Sequence, residues 1–279
     1  MDFLYMQAMR KAGEVRKILN LNMHEPINIF DSCSKLGLDV RFVDVNMEGM
    51  YVKQDDSSYS TILLSSLRPL PRRVYTCAHE LGHHVFGHGT KVDEVNSDGY
   101  SSDNEEEKLV DMFAGTILMP VVAIKAEFIK RNWNPEEVGP IEFFTISSFF
   151  GTGYRTMIVH SRANKIISRT KAEQLLKITP QKLLKNIMGE EMETSHFKIF
   201  DKKYVPKIID LEVNNYIVLP NTLNIESNHL EEFKDIPMGK VFRAKNAGIS
   251  RGQDDDISCF IRIQNERYVG LAEYRHLEN

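Results

Sequence analysis

The stretch HELGH, residues 79–83, has the pattern H-E-x-x-H and lies in a segment with helical spacing of its apolar residues. Positions four apart on a helix project from one face, so His79 and His83 can offer two imidazoles to one cation. Glu80 then lies beside the first ligand, where its carboxylate can act as a general base on water. The pattern predicts a zinc site, because zinc lowers the pKa of a bound water molecule to about 7.

The competing interpretation of this stretch is a polar helix face with solvated histidines. The apolar residues around the motif argue against it: Tyr75, Ala78, Leu81, Val85 and Phe86. A helix with that composition packs in a core, so we favour the metal site.

The segment NEEEKLVDMFAG, residues 104–115, supplies a candidate third ligand, which a catalytic zinc site requires. Glu107 and Asp111 are four apart and share one face of a predicted helix. We expect Glu107 to bind the metal and Asp111 to accept the second ring N–H of a ligand histidine. Glu105 and Glu106 are rival ligands, although acidic residues at a helix start also favour the macrodipole.

Two further histidines follow the motif. His84 points away from the ligand face and is assigned to packing or to the surface. His88 could lie near the cleft, but we assign it to the end of the helix.

The composition limits the classes of protein to consider. The chain has 279 residues, a formal net charge of −4 and a pI near 6.2, so it is not basic throughout. No run of about 18 apolar residues is apparent, and we predict neither a membrane span nor a membrane partner. Cys33, Cys77 and Cys259 are odd in number and far apart, which favours reduced thiols in a cytoplasm.

The pattern of elements predicts an α+β chain in three parts. Helices, a strand at 38–45 and a hairpin with its tip at Asp55–Ser58 precede a helix from Pro71 to Gly87 that carries the motif. An acidic loop and a helix at 105–119 follow. The predicted parts are a core at 1–135, a helical, helix-turn-helix-like segment at 136–189, and a β-rich or α+β module at 190–279.

The motifs together resemble the ImmA/IrrE family of metallopeptidases. The matching positions are Arg72 and Arg73, AHELGH at 78–83, Glu107, and DMFAGTILMP at 111–120. The resemblance spans about residues 5–165. It implies that the core is zincin-like, with a thermolysin-like arrangement and a Zn²⁺ ion.

The resemblance also implies a function. Family members are typically bacterial or mobile-element regulators, and several cleave a cognate helix-turn-helix repressor to release gene expression after stress. We therefore expect a cytoplasmic zinc endopeptidase of narrow specificity, with a C-terminal sensor or partner-binding module. The strand YSTILLSS, residues 59–66, is expected to align the substrate along a free edge.

Two alternatives remain at this point. Residues 145–185 include a basic stretch, with eight Lys or Arg and the single acid Glu173 between Arg155 and Lys185. That stretch could bind DNA in a regulator whose peptidase core is inactive, or it could be a solvated face of a helical hairpin. The chain could also be one component of a toxin–antitoxin pair.

Overall fold

The computed structural model describes residues 3–53, 60–93, 104–194 and 196–277. The predicted hairpin tip Asp55–Ser58 and residues 94–103 of the predicted acidic loop lie outside these ranges. In chain order the helices are α1 (Phe3–Ile18), α2 (Ile29–Lys35), α3 (Leu70–Phe86), α4 (Glu105–Leu118), α5 (Val121–Lys130), α6 (Pro140–Phe149), α7 (Tyr154–Ala163), α8 (Arg169–Leu176) and α9 (Pro180–Met188). The strands are β1 (Asp39–Val43), β2 (Gly49–Val52), β3 (Thr61–Ser65), β4 (Lys91–Asp93), β5 (Phe197–Ile199), β6 (Ile208–Glu212), β7 (Tyr216–Leu219), β8 (Asn224–Glu226), β9 (Leu230–Ile236), β10 (Gly239–Ala244), β11 (Gly248–Gln253), β12 (Ser258–Gln264) and β13 (Gly270–Leu271).

The chain is mixed α+β, as predicted, and divides into two compact units. The first contains Met1–Ala123 and Arg267–Arg275, and the second contains Ile124–Glu266 and His276–Asn279. Residues 267–275 therefore join the first unit, whereas the sequence pattern assigned them to a module at 190–279. The boundaries at 135/136 and 189/190 remain predictions.

The first unit is built on a sheet with strand order β13-β1-β3-β2-β4. The predicted hairpin is present, because β2 and β3 pair antiparallel from Gly49↔Leu64 to Val52↔Thr61. The predicted free edge on YSTILLSS is wrong, since β3 also pairs in parallel with β1 from Asp39↔Thr61 to Val43↔Ser65. Among the described residues, the edges of this sheet are β4 and β13.

The end of the chain supplies one of those edges. β13 pairs antiparallel with β1 through Arg41↔Leu271 and Phe42↔Gly270. Arg275, just after it, is buried, and its guanidinium donates to Asp31 Oδ1 of α2 at 3.3 Å and to the carbonyl of Ala272. These contacts hold the C-terminal segment against the first unit.

Helices α1, α3 and α4 form the helical layer of the first unit. The buried guanidinium of Arg16 in α1 donates to the carbonyl of Ile117 in α4 at 2.7 Å and to that of Asn22 at 2.6 Å. At the contact of α3 with α4, a Cβ on Gly82 would lie 2.9 Å from Cβ of Val110. Glycine at position 82 therefore permits the close approach of these two helices.

The second unit combines the predicted helices with two four-stranded sheets. Helices α6 to α9 fall within residues 136–189, which the sequence pattern assigned to a helical segment. The sheets have the orders β5-β7-β10-β9 and β6-β12-β11-β8. One buried apolar cluster, which includes Leu211, Ile217, Leu219, Ile261 and Ile263, forms their common core.

The stretch Glu105–Lys130 is, by length and composition alone, apolar enough to cross a membrane. Its most apolar window is 67% buried inside the fold. Pro120 separates it into α4 and α5, which have the composition of core helices.

Candidate metal centre

Helix α3 places the motif residues in the interior. It begins at Leu70 with Pro71 in its first turn, where the missing N–H of proline costs no helical hydrogen bond. It ends before Gly87, whose φ of +73° lies in the left-handed region that glycine adopts without strain. His79, Glu80 and His83 are all buried, at 7%, 0% and 0% exposure.

Three potential ligand atoms from two helices converge in the first unit. Nε2 of His79 lies 3.2 Å from Nε2 of His83 and 3.2 Å from Oε2 of Glu107, and the third separation, from His83 to Glu107, is 3.6 Å. Ligand atoms bonded to a tetrahedral zinc at 2.0–2.1 Å lie about 3.3 Å from one another. His79, His83 and Glu107 thus form a group that could bind a metal ion, and the separations fit zinc.

The second ring nitrogen of His79 is held by Asp111, one turn after Glu107 on α4. Nδ1 of His79 lies 3.0 Å from Oδ1 of Asp111. The hydroxyl of Tyr75 donates to the carbonyl of Asp111 at 3.3 Å. A carboxylate on Nδ1 favours a proton there and a lone pair on Nε2, which is the arrangement that a cation ligand needs. The role of Asp111 toward a metal ion stays a prediction.

The second ring nitrogen of His83 has a partner that the sequence analysis did not identify. Nδ1 of His83 lies 2.9 Å from Nδ1 of His88. His88 lies beyond the end of α3, at Phe86, rather than within the helix. If α3 continued through position 88, His88 would point away from the ligand face. The turn at Gly87 instead brings its ring into contact with His83.

The Glu80 carboxylate packs against strand β2. A Cβ on Gly49 would lie 2.7 Å from Oε1 of Glu80 and 2.5 Å from Cγ2 of Thr76. Only a residue without a side chain fits at position 49. In the sequence, Gly49 is visible only as a glycine at the start of a strand. That position alone does not show that Glu80 lies against it.

The acids at the start of α4 are in different environments. Glu107 is partly buried, and its contacts with the rings of His79 and His83 hold the pKa of its carboxyl well below the usual range. Glu105 and Glu106 are exposed, and the Glu106 backbone N–H donates to Oδ1 of Asn104 at 2.9 Å. Of these three acids, only Glu107 joins the histidine pair.

His84 and the two arginines of the motif pattern have packing roles. Nδ1 of His84 lies 3.0 Å from the hydroxyl of Tyr51, and burial lowers the pKa of this histidine. The guanidinium of Arg73 is buried 5.1 Å from the ring centroid of Phe42. Arg72 donates to Glu48 at 2.8 Å. These residues stabilise the contact of α3 with the sheet.

The basic stretch lies in the second unit. Arg162, Lys165 and Arg169 line an open recess of about 640 Å³ together with Glu136, Ile167 and Ser168. The carboxylate of Glu136 accepts a hydrogen bond from the Ser168 hydroxyl at 3.0 Å, and Arg169 pairs with Glu173 at 2.7 Å. The recess therefore combines three basic side chains with one exposed acid, Glu136, which contacts Ser168 at the start of α8.

Two histidines and a carboxylate on adjacent helices, with a glutamate after the first histidine, are typical of metallopeptidase-like proteins. Residues 33–159 match the family model of the IrrE N-terminal-like domain, Peptidase_M78. The predicted resemblance to the ImmA/IrrE family is confirmed over this region, which extends from α2 into α7.

The other comparisons add little. No curated protein matches the chain. A Mycobacterium tuberculosis transcriptional regulator of known structure aligns at 14% identity with a TM-score of 0.34, over 58% of this chain and 47% of that chain. The chain thus spans about half the length of that regulator, and at this TM-score the likeness indicates neither a shared fold nor a shared function.

Proposed function

We propose that the chain is a zinc-dependent endopeptidase of narrow specificity, with His79, His83 and Glu107 as the zinc ligands. The observation that carries the proposal is the convergence of three ligand atoms at separations of 3.2, 3.2 and 3.6 Å. This is the spacing that a tetrahedral zinc requires, about 3.3 Å, and it leaves a fourth position for water or substrate.

The roles of the surrounding side chains follow from their positions. Zinc, when bound, makes water more acidic and polarises the scissile carbonyl. Glu80 accepts a proton from the attacking water and passes it to the leaving amine nitrogen. Its carboxylate is fully buried, and a cation held by the adjacent His79 would offset the cost of burying that charge. Asp111 orients His79 through the Nδ1 contact.

The peptide substrate is placed along β4 in this proposal. β4 is the edge strand next to β2, with Gly49 paired to Asp93. Gly49 in turn lies against Glu80. An extended segment that adds to this edge would use backbone hydrogen bonds for affinity and would run beside β4, one strand away from the strand β2 that contacts Glu80.

The proposed substrate is a DNA-binding repressor of the helix-turn-helix type, in a bacterial stress or mobile-element response. This part of the proposal rests on the family resemblance. A cytoplasmic location is supported by Cys33, Cys77 and Cys259, which are free thiols in the structure, since reduced cysteines are typical of that compartment. A role in a toxin–antitoxin pair stays a prediction from the sequence.

The experiment compares wild type with Glu80→Gln, Glu107→Ala and the control Glu106→Gln. Wild type should carry about one zinc per chain, and so should Glu80→Gln, but the latter should cleave the co-expressed repressor at least about 100-fold more slowly. Glu107→Ala should lose zinc. Glu106→Gln removes an exposed neighbouring acid and should change neither result. Cleavage at the wild-type rate by Glu80→Gln, or a wild type that refuses zinc, would contradict the proposal.

A second candidate function is DNA binding by the second unit. The observation that favours it is the grouping of Arg162, Lys165 and Arg169 around one open recess. Fluorescence anisotropy with duplex DNA at low salt tests it, because phosphate contacts give a binding constant that falls steeply with salt. Charge reversal of Arg162 and Lys165 should abolish binding, and an absence of binding by wild type at low salt would eliminate this function.

A further inference from the structure

The chain reverses direction immediately after α3, and the reversal determines where His88 lies. The backbone N–H of His88 donates to the carbonyl of His83 at 3.0 Å, and that of Gly87 donates to His84 at 3.1 Å. These two bonds, with Gly87 in the left-handed region, form a Schellman motif. The bond between the His88 N–H and the His83 carbonyl holds His88 against the same residue that its ring contacts.

The His88 ring is held in place by its neighbours. Its centroid lies 5.2 Å from that of His83, and it stacks on Phe86 at 6.0 Å with an interplanar angle of 22°. Phe86 contacts the buried Phe113 of α4 edge-on at 5.8 Å. Two interactions therefore hold the 2.9 Å contact between the two Nδ1 atoms: the backbone hydrogen bond of His88 and the stacking of its ring on Phe86.

The hydrogen bond constrains both tautomers. A neutral imidazole carries one N–H, so one Nδ1 must donate and the other must accept. Nε2 of His83 faces His79 and Glu107, and it can bind a cation only through its lone pair. The proton of His83 is then on Nδ1 and is donated to His88, whose own proton is on Nε2. The arrangement parallels the bond between His79 and Asp111, with a neutral acceptor in place of a carboxylate.

We propose that His88 is a positioning residue for the metal centre, which fixes the tautomer and ring orientation of His83 by accepting its Nδ1–H. The inference rests on the proposed zinc site and extends it. It assigns a supporting hydrogen bond to each histidine of the motif, accepted by Asp111 from His79 and by His88 from His83.

Zinc affinity of purified full-length protein, measured by competition with a chromophoric chelator, tests this role. His88→Leu and His88→Ala remove the acceptor and should weaken zinc binding by about 10- to 100-fold. His88→Asn places an amide oxygen near the position of Nδ1 and should restore most of the affinity. His84→Leu makes the same change at the neighbouring histidine, which contacts Tyr51, and should leave zinc affinity near that of wild type. Zinc affinity at the wild-type level in both His88→Leu and His88→Ala would overturn the inference.

A second readout is independent of any variant. Long-range ¹H–¹⁵N spectra of the histidine rings in the wild type should show His83 protonated on Nδ1 and His88 on Nε2. The opposite tautomer at His83 would overturn the role of His88. Failure of wild type to bind zinc would instead refute the proposed function, so the two failures are distinguishable.

Discussion

At the scale of single residues, Gly49 limits the space available to Glu80. An added Cβ would lie 2.7 Å from Oε1 of Glu80 and 2.5 Å from Cγ2 of Thr76, so Gly49→Ala must displace the carboxylate or the strand. We expect normal zinc content, cleavage reduced by at least about tenfold, and a loss of about 1–3 kcal/mol in the free energy of unfolding. Metal analysis, repressor cleavage and urea denaturation measure these three quantities.

The control for this prediction is Gly13→Ala. A Cβ at Gly13, in the interior of α1, has nothing within 4 Å. The substitution should therefore raise the free energy of unfolding by about 0.5–1 kcal/mol, since alanine is the better helix former, and leave cleavage unchanged. Wild-type cleavage by Gly49→Ala would show that the Glu80 carboxylate does not depend on this space.

At the scale of elements, Gly82 sets the distance between the two helices that carry the candidate ligands. A Cβ there would lie 2.9 Å from Cβ and 3.0 Å from Cγ1 of Val110, whose branched side chain has little freedom to move. Gly82→Ala should push α4 and Glu107 away from α3 and weaken zinc binding by roughly tenfold. Chelator competition measures the affinity.

The double variant Gly82→Ala/Val110→Ala serves as the control. Removing the two methyl groups of Val110 relieves the 3.0 Å contact with Cγ1 but leaves the 2.9 Å contact with Cβ. The double variant should therefore regain part of the zinc affinity lost in Gly82→Ala. A double variant that binds zinc no better than Gly82→Ala would contradict a role for the Val110 methyl groups in setting the helix spacing.

The second unit contains a buried ion network between α5 and the segment after β5. The guanidinium of Arg131 donates to Glu127 Oε2 at 2.6 Å and to Asp201 Oδ2 at 2.6 Å, and the side chains of Arg131 and Glu127 are 2% and 1% exposed. Arg131→Met would remove the guanidinium from the buried Glu127, which keeps the ammonium of Lys130 at 2.6 Å, and we expect a loss of about 1.5–3 kcal/mol in the free energy of unfolding. Urea denaturation followed by the fluorescence of Trp133, in the same unit, measures it.

Arg169→Met is the matched control, since Arg169 and Glu173 also form an arginine–glutamate pair four residues apart. That pair is exposed, at 83% and 55%, and water screens it. The control should leave the midpoint of unfolding within error. Equal effects of the two substitutions would mean that burial does not determine the strength of the Arg131 network.

At the scale of the whole molecule, the first unit is completed by the end of the chain. Arg275 is 2% exposed, donates to Asp31 and lies 5.2 Å from the ring centroid of Phe30. Arg275→Met should reduce the stability of the first unit by about 1–2 kcal/mol. Truncation after Glu266 should reduce it further, because β13 is then lost from the edge of β1.

Hydrogen exchange followed by mass spectrometry measures this effect in α2 and β1. Arg10→Met is the control, because Arg10 pairs with Glu14 on an exposed face of α1, with 77% of its side chain accessible. Unchanged exchange in α2 and β1 after truncation would contradict a stabilising role for the C-terminal segment.

Local spacing in the sequence was enough to predict several features of the fold and of the candidate site. The four-residue period of a helix was sufficient to bring His79 and His83 together, and likewise Glu107 and Asp111. The alternation around β2 and β3 was sufficient for their hairpin. Three assignments stay predictions: zinc as the metal, Glu80 as the general base, and the division of the chain at 135/136 and 189/190.

Other features depend on which surfaces meet, and these became visible only in the folded chain. The parallel pairing of β1 with β3 removed the predicted free edge, and the antiparallel pairing of β1 with β13 returned the C-terminal segment to the first unit. A left-handed Gly87 brought His88 back onto His83. Strand partners and chain reversals bring together residues that are distant in sequence or out of helical register. No periodic pattern encodes these contacts, because packing of the complete fold selects them.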